Sequence, residues 1–185
     1  MVMVDSVPPS ASAVVDFWVA AGPERWFEKD EGFDCDFRTR FLTLHQAAMR
    51  GELADWEATA PGALALVLLL DQFPRNAFRD TPAMYAGDPQ ARQVAAAALA
   101  HGHDRRIAPE LRIFFYLPFM HSEELADQER CLALCRTLEG DYLKYAEEHR
   151  DIIARFGRFP HRNDILGRVC TPEERRFLDE GGFAG

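Results

Sequence analysis

Apolar positions along the chain recur at helical spacing in nearly every segment, and no stretch alternates with period 2 for long enough to predict a strand. Phe33, Phe37, Phe41, Leu44 and Ala48 follow one another at steps of 4, 4, 3 and 4, the period of an amphipathic helix, with Gly51 as its terminator. Before it, Ser10 or Ser12 can cap a helix running to about Ala20 and stopped by Gly22-Pro23. Thr59 with Pro61 opens a third helix, GALALVLLLDQF. That helix is apolar all round, which predicts a place at the centre of the core and an end at Pro74.

Further on, Thr81-Pro82 starts a single turn, and Asp88-Pro89 starts an alanine-rich helix closing near Gly102. Pro109 opens a short apolar helix, LRIFFYL, which is expected to end at Pro118. Ser122 then caps EELADQERCLALCRTL. After Gly140 comes DYLKYAEEHRDIIARF, with an inward stripe at Tyr142, Tyr145, Ala146, His149, Ile152, Ile153 and Phe156 and a stop at Gly157. Thr171-Pro172 with Glu174 forms a capping box for a last helix through Leu178. The expected architecture is all-α, about eight helices packed as antiparallel hairpins. No tetratricopeptide consensus survives from one helix pair to the next, so any repeat is irregular. Residues 1–9, ending in a proline pair, read as a loose leader, and residues 10–185 as a single all-helical domain.

Composition narrows the partners. A chain of 185 residues, 48% of them hydrophobic, is long enough to bury a core without disulfides or a structural metal. Its net charge of -9 argues against nucleic acid as a partner. Only Lys29 and Lys144 are lysines, so 19 of the 21 basic residues are arginines, and any one arginine is a weaker signal than usual. Cys35, Cys131, Cys135 and Cys170 read as reduced thiols of a cytoplasmic protein. The start of the chain lacks the cationic region of a signal peptide, and the longest apolar run, Ala63 to Leu70, is far short of the ~20 residues a membrane span needs. No membrane association is expected.

Three helices end alike, with an apolar or aromatic residue, a proline and a polar cluster. These are DQFPRN, with Asp71, Gln72, Arg75 and Asn76; YLPFMHSE, with His121, Ser122 and Glu123; and RFGRFPHRN, with Arg155, Arg158, His161, Arg162 and Asn163. If the major helices alternate in direction, these three ends lie on one face and the clusters meet. That count omits the single turn after Thr81. Between His149 and Arg168 five arginines face only Asp151 and Asp164, a local cationic surface suited to a small anion held by guanidinium groups. Gln128, in line with Leu125, Leu132 and Cys135, and His149, in the apolar stripe of its helix, are buried polar side chains that need partners. His101 and His103 lack a third ligand at metal-site spacing. There are no glycine-rich phosphate loops and no serine-nucleophile elbow, and neither a metal nor a cofactor is implied. The acidic stretch from Glu24 to Asp36 reads as a solvated face and helix start.

The same three blocks, followed by LGR and the ending TPEERRFL, resemble the bacterial domain of unknown function family nine-two-four from about Val15 to Leu178. The resemblance implies a helical fold of the tetratricopeptide-like superfamily and brings no established activity, cofactor or catalytic residue. Cys170 stands where serine is expected in that ending. From the residues themselves, Arg75, Arg158 and Arg162 are expected to hold a carboxylate or phosphate, with Asn76 and Asn163 orienting it. His121 or His161 is the acid-base candidate. The competing reading is an interaction module that binds an acidic peptide on a concave helical face.

Overall fold

Ser10 opens the first helix by accepting the Ala13 N–H with its hydroxyl, and local signals of this kind fix most of the helix starts that follow. The structure, a computed structural model, describes residues 10–183, so the leader expected over residues 1–9 lies outside the described residues. Every regular element among the described residues is helical. The longer ones are α1 (Ala11–Ala21), α2 (Pro23–Trp26), α3 (Glu31–Met49), α4 (Ala60–Val67), α5 (Phe73–Ala77), α6 (Asp88–Ala100), α7 (Ile113–Met120), α8 (Leu125–Cys135), α9 (Tyr142–Phe156) and α10 (Pro172–Asp179). Short 3-10 turns link several of them, including Pro82–Tyr85 and Pro160–Arg162.

Asp30 caps α3 by accepting from the Gly32 and Phe33 N–H groups, and Thr59 caps α4 by accepting from Gly62. Thr171 and Glu174 form the expected reciprocal capping box at α10. Gly157 ends α9 at φ 70, a left-handed conformation that a side chain would strain, and donates to the Ile153 carbonyl.

The apolar α4 sits in the middle, against α1, α6 and α7, while α3 packs on α5 and the π-turn before it. From α6 onward each helix lies against the next, through α7 and α8 to α9. A main core runs from Val14 to Ala146, and a smaller cluster of Ile152, Ile153 and Phe159 seats Phe177 and Phe183 at the C-terminal end. No helix among the described residues is long and apolar enough to cross a membrane.

Proline misleads at two helix ends. The helix does not stop at Pro74: after Val67 it widens into a π-turn over Leu68–Gln72 and resumes as α5, where Pro74 occupies the first turn and its missing N–H matters least. Pro118 lies inside α7, whose eight residues are all buried, so packing outweighs the proline's local penalty. Two caps differ as well. Helix α8 begins after Glu124 without a side-chain cap, because Ser122 accepts from the Glu124 N–H and donates to Asp127 instead. Helix α6 has Gly87 as its N-cap, which frees the Asp88 carboxylate for a long-range role.

Gly87 is fixed by close approach rather than by φ: a Cβ there would overlap the Leu70 carbonyl oxygen on the π-turn. Gly87→Ala is expected to cost about 1–3 kcal/mol through this overpacking. It would also push Asp88 off Arg75, so urea midpoints should fall in the variant with little change in slope.

Candidate functional site

The π-turn builds the site. It carries Asp71 and Gln72 into the interior, with Asp71 fully buried. The Asp71 carboxylate accepts from His121 Nδ1 at 2.8 Å and from the Gln72 amide, and Arg75 Nη1 lies 3.2 Å away. Arg75 forks onto Asp88 at the start of α6, with two hydrogen bonds of 2.8 and 3.0 Å. Asp88 also faces Arg162, 3.6 Å away, and Arg162 Nη2 donates to the His121 carbonyl at 2.9 Å. The three helix ends therefore converge, joined by Asp71, Asp88 and the His121 backbone.

Burial alone would push the Asp71 carboxyl up, but Arg75 and then His121 outweigh it and hold it at about 2. Burial, followed by the Arg75 charge, presses His121 below the usual imidazole range against the pull of Asp71. His149 is pushed down to about 4, chiefly by burial and then by His121, and His161 to about 3 by burial and then by Arg162.

His121, His149 and His161 line a cavity of about 480 Å³, with Asp71 buried behind His121. Of the residues singled out in the sequence, Gln72, Arg75, Asn76, His121, His149, His161 and Arg162 line it. Its other walls were not anticipated: Trp26, Phe27, Tyr85, Leu117, Met120, Tyr142, Tyr145 and Phe183, with Arg79 and Glu28 at the margin. Tyr85 and Phe159 hold the Arg162 guanidinium between their rings, at 4.6 and 4.5 Å. Phe183 packs its ring against those of His149 and His161, at 4.6 and 5.2 Å.

The remaining sequence candidates frame the cavity from outside. Arg155 pairs with Glu173 on the surface, and Arg158 forks onto Glu174, holding that carboxyl at about 2. Neither arginine lines the cavity. Asn163 is buried, accepting from Arg168 and donating to the Cys170 sulfur. Glu123 grips Arg168 and accepts the Phe159 N–H. Gln128 donates to the carbonyls of Met120 and Ser122 at 2.7 and 2.6 Å, fixing the end of α7. Ser122 and Glu123 face a second, smaller hollow on the far side of His121 and Arg162.

Two expectations are corrected by long-range pairing. The cationic stretch from His149 to Arg168 is not a cationic surface: Glu129, Glu173, Glu174 and Glu123, all from outside it, take Arg150, Arg155, Arg158 and Arg168. Arg162 alone of its five arginines reaches the cavity. The acidic stretch from Glu24 to Asp36 is not merely a solvated face either. Asp34 accepts from Arg79 at 2.6 Å and from Asn76 at 2.7 Å, and Glu28 reaches the cavity margin. Elsewhere, Cys131 and Cys135 are core residues with sulfurs 3.8 Å apart, and His103 bonds to the Glu57 carbonyl. No group of three or more His, Cys, Asp or Glu among the described residues is placed to hold a metal.

Fold and site together define an all-helical protein whose helix ends enclose a cavity with aromatic, histidine and arginine walls. The family model described as bacterial protein of unknown function (DUF924) matches residues 14–182, and the chain belongs to that family. It is also similar to a solved structure, a protein of unknown function from Agrobacterium tumefaciens, at 57% identity and a TM-score of 0.91, with 92% of this chain and 97% of that one covered. No curated protein matches.

Proposed function

We propose that the protein binds a small organic anion, a carboxylate or phosphate with an apolar body, in the 480 Å³ cavity, with Arg162 as the anion's partner and His121 as the group that exchanges a proton with it. The observation that carries this is the state of Arg162. Its side chain is 8% exposed and held between two rings, yet it makes one hydrogen bond, to a carbonyl, and its nearest carboxylate is 3.6 Å away and already forked by Arg75. Its Nε is buried without a partner among the described residues. A buried guanidinium so short of acceptors is stabilised by an anion entering beside it. The cavity's size and its mix of aromatic walls with few polar groups suit a small molecule. Asp71 completes the arrangement: a carboxylate only accepts, so His121 carries its proton on Nδ1, and Nε2 is left without a protein partner. An orienting carboxylate behind an imidazole is the arrangement a general base needs.

A thermal-shift screen with small carboxylates and phosphates tests the reading. A ligand at 100 times its Kd adds about 2.7 kcal/mol, so Tm should rise by roughly 5–10 °C. The rise should disappear in Arg162→Gln and persist in Arg155→Gln, whose arginine is on the outer surface. Equal stabilisation of the wild type and Arg162→Gln would overturn the assignment. Stabilisation by an acidic peptide where every small anion fails would favour an interaction module instead.

A further inference from the structure

Part of the polar wall of the cavity is fixed in hydrogen-bonding sense. His149 Nδ1 lies 2.8 Å from the Tyr145 carbonyl, which only accepts, so the neutral ring carries its proton there and Nε2 is an acceptor. His121 is fixed in the same sense by Asp71. Gln72 gives its amide N–H to Asp71, and Asn76 gives its own to Asp34. Both amides are thereby oriented, and each leaves its carbonyl oxygen without a partner among the described residues. His121 and His149 thus each present a fixed acceptor to the cavity, and Gln72 and Asn76 each present a free carbonyl oxygen beside one uncommitted amide N–H. Of the arginines, Arg75 is committed to Asp71 and Asp88, and Arg79 to Asp34. The other donors on the wall are Arg162, one ring N–H of His161, and the hydroxyls of Tyr85, Tyr142 and Tyr145, which can equally accept.

We infer that the anion taken by this cavity also carries hydrogen-bond donors, hydroxyl or amino groups on the carbon skeleton near its acid group, which meet the acceptor wall of His121, His149, Gln72 and Asn76. This rests on the anion reading and narrows it to hydroxy or amino acids, or their phosphate counterparts, over simple fatty or aryl acids. An unsubstituted acid would seat its charge at Arg162 but strip water from the four acceptors without replacing it, and unpaired buried acceptors are costly. A hydroxyl or amine supplies a donor to those four acceptors.

The test compares acids matched in skeleton by isothermal titration calorimetry: 3-phenylpropanoate, 3-phenyllactate and phenylalanine, with octanoate and 2-hydroxyoctanoate as a second scaffold. A donor-bearing acid should bind at least tenfold tighter than its donor-free partner, and the hydroxy and amino members show which donor is preferred. In His149→Phe, which keeps a ring against Phe159 and Phe183, the preference should fall at least threefold while the donor-free acids bind as before. Arg162→Gln should weaken every acid. The wild-type comparison decides the ligand class even where a variant folds poorly. Arg162-dependent binding with no preference for donors overturns this inference and leaves the anion reading standing, as does a preference undiminished in His149→Phe for the part assigned to that residue. Binding of none of the acids, together with no stabilisation by any phosphate in the thermal-shift screen, overturns both.

Discussion

Asp71→Ala is expected to lower stability by about 3–5 kcal/mol, the range for removing one partner of a buried charge network. Asp71 has no exposed surface and is the point at which Arg75, His121 and Gln72 meet. Its loss leaves Arg75 leaning on Asp88 alone, a His121 ring with no orienting acceptor and a Gln72 amide without its partner. For a chain of this length the change corresponds to a fall in Tm of about 10 °C. The control is Arg155→Ala. That arginine comes from the same kind of proline-terminated block, but its pair with Glu173 is about half exposed on both sides, so removing it should cost under about 1 kcal/mol. Thermal and urea denaturation of the two variants side by side give the comparison. Asp71→Ala within 1 kcal/mol of the wild type would mean that the network does not hold the three helix ends together. Asp71→Asn keeps the shape and is expected to be milder for stability, yet it no longer fixes the tautomer of His121. Ligand binding that depends on that ring should weaken more than stability does.

The convergence of the three blocks was legible because direction of travel is a topological property, and a chain of short-linked helices has few ways to alternate. The turn that the count omitted proved to contribute to the site, since Pro82–Tyr85 supplies the ring stacked on Arg162. Helix starts were legible where a side chain caps its own backbone, as at Ser10, Thr59 and Thr171. The cap was misread where the side chain bonds elsewhere, as Asp88 does to Arg75 and Ser122 to Asp127, five residues on. The same cause explains the misread charge clusters. Local density made residues 149–168 look cationic and residues 24–36 look solvated, but Arg155, Arg158 and Arg168 are paired by carboxylates outside the first stretch, Arg150 lies between Asp151 and Glu129, and Asp34 is paired by Arg79, 45 residues away. The aromatic walls carried no usable signal. Trp26, Tyr142 and Phe183 look like core or rim residues in any window, and only their three-dimensional meeting makes them a cavity.

Acidification from pH 7 to pH 5 is expected to remove about 2–4 kcal/mol of stability, well before ordinary carboxylates are protonated. In the folded protein His149 is held at about 4 and His161 at about 3, against 6.5 for a free imidazole, because burial and neighbouring cations penalise the charged form. Both stay neutral in the native state as the pH falls, while in the unfolded chain each takes up a proton below about 6.5. The unfolded state binds more protons throughout that window, so stability is fully present above it and is lost progressively toward pH 4 and 3. Each histidine contributes up to about 1.4 kcal/mol per pH unit. His45 and His121 are shifted in the same direction and add to the loss. Asp71 and Glu174, both held at about 2, extend it below pH 4 because their depressed values make protonation favour the unfolded chain as well. Urea midpoints measured every half unit from pH 8 to 5 give the slope. His149→Phe and His161→Phe should each remove a substantial part of it, since a phenyl ring fills the same aromatic cluster and cannot titrate. A wild type whose stability is flat from pH 7 to 5 would mean that these imidazoles take up protons in the folded protein as readily as in the unfolded chain, and the His149 Nε2 would then become a donor as the pH falls below about 6.5. In that case the cavity wall would gain positive charge around Arg162 on acidification, and anion binding would tighten as the pH falls.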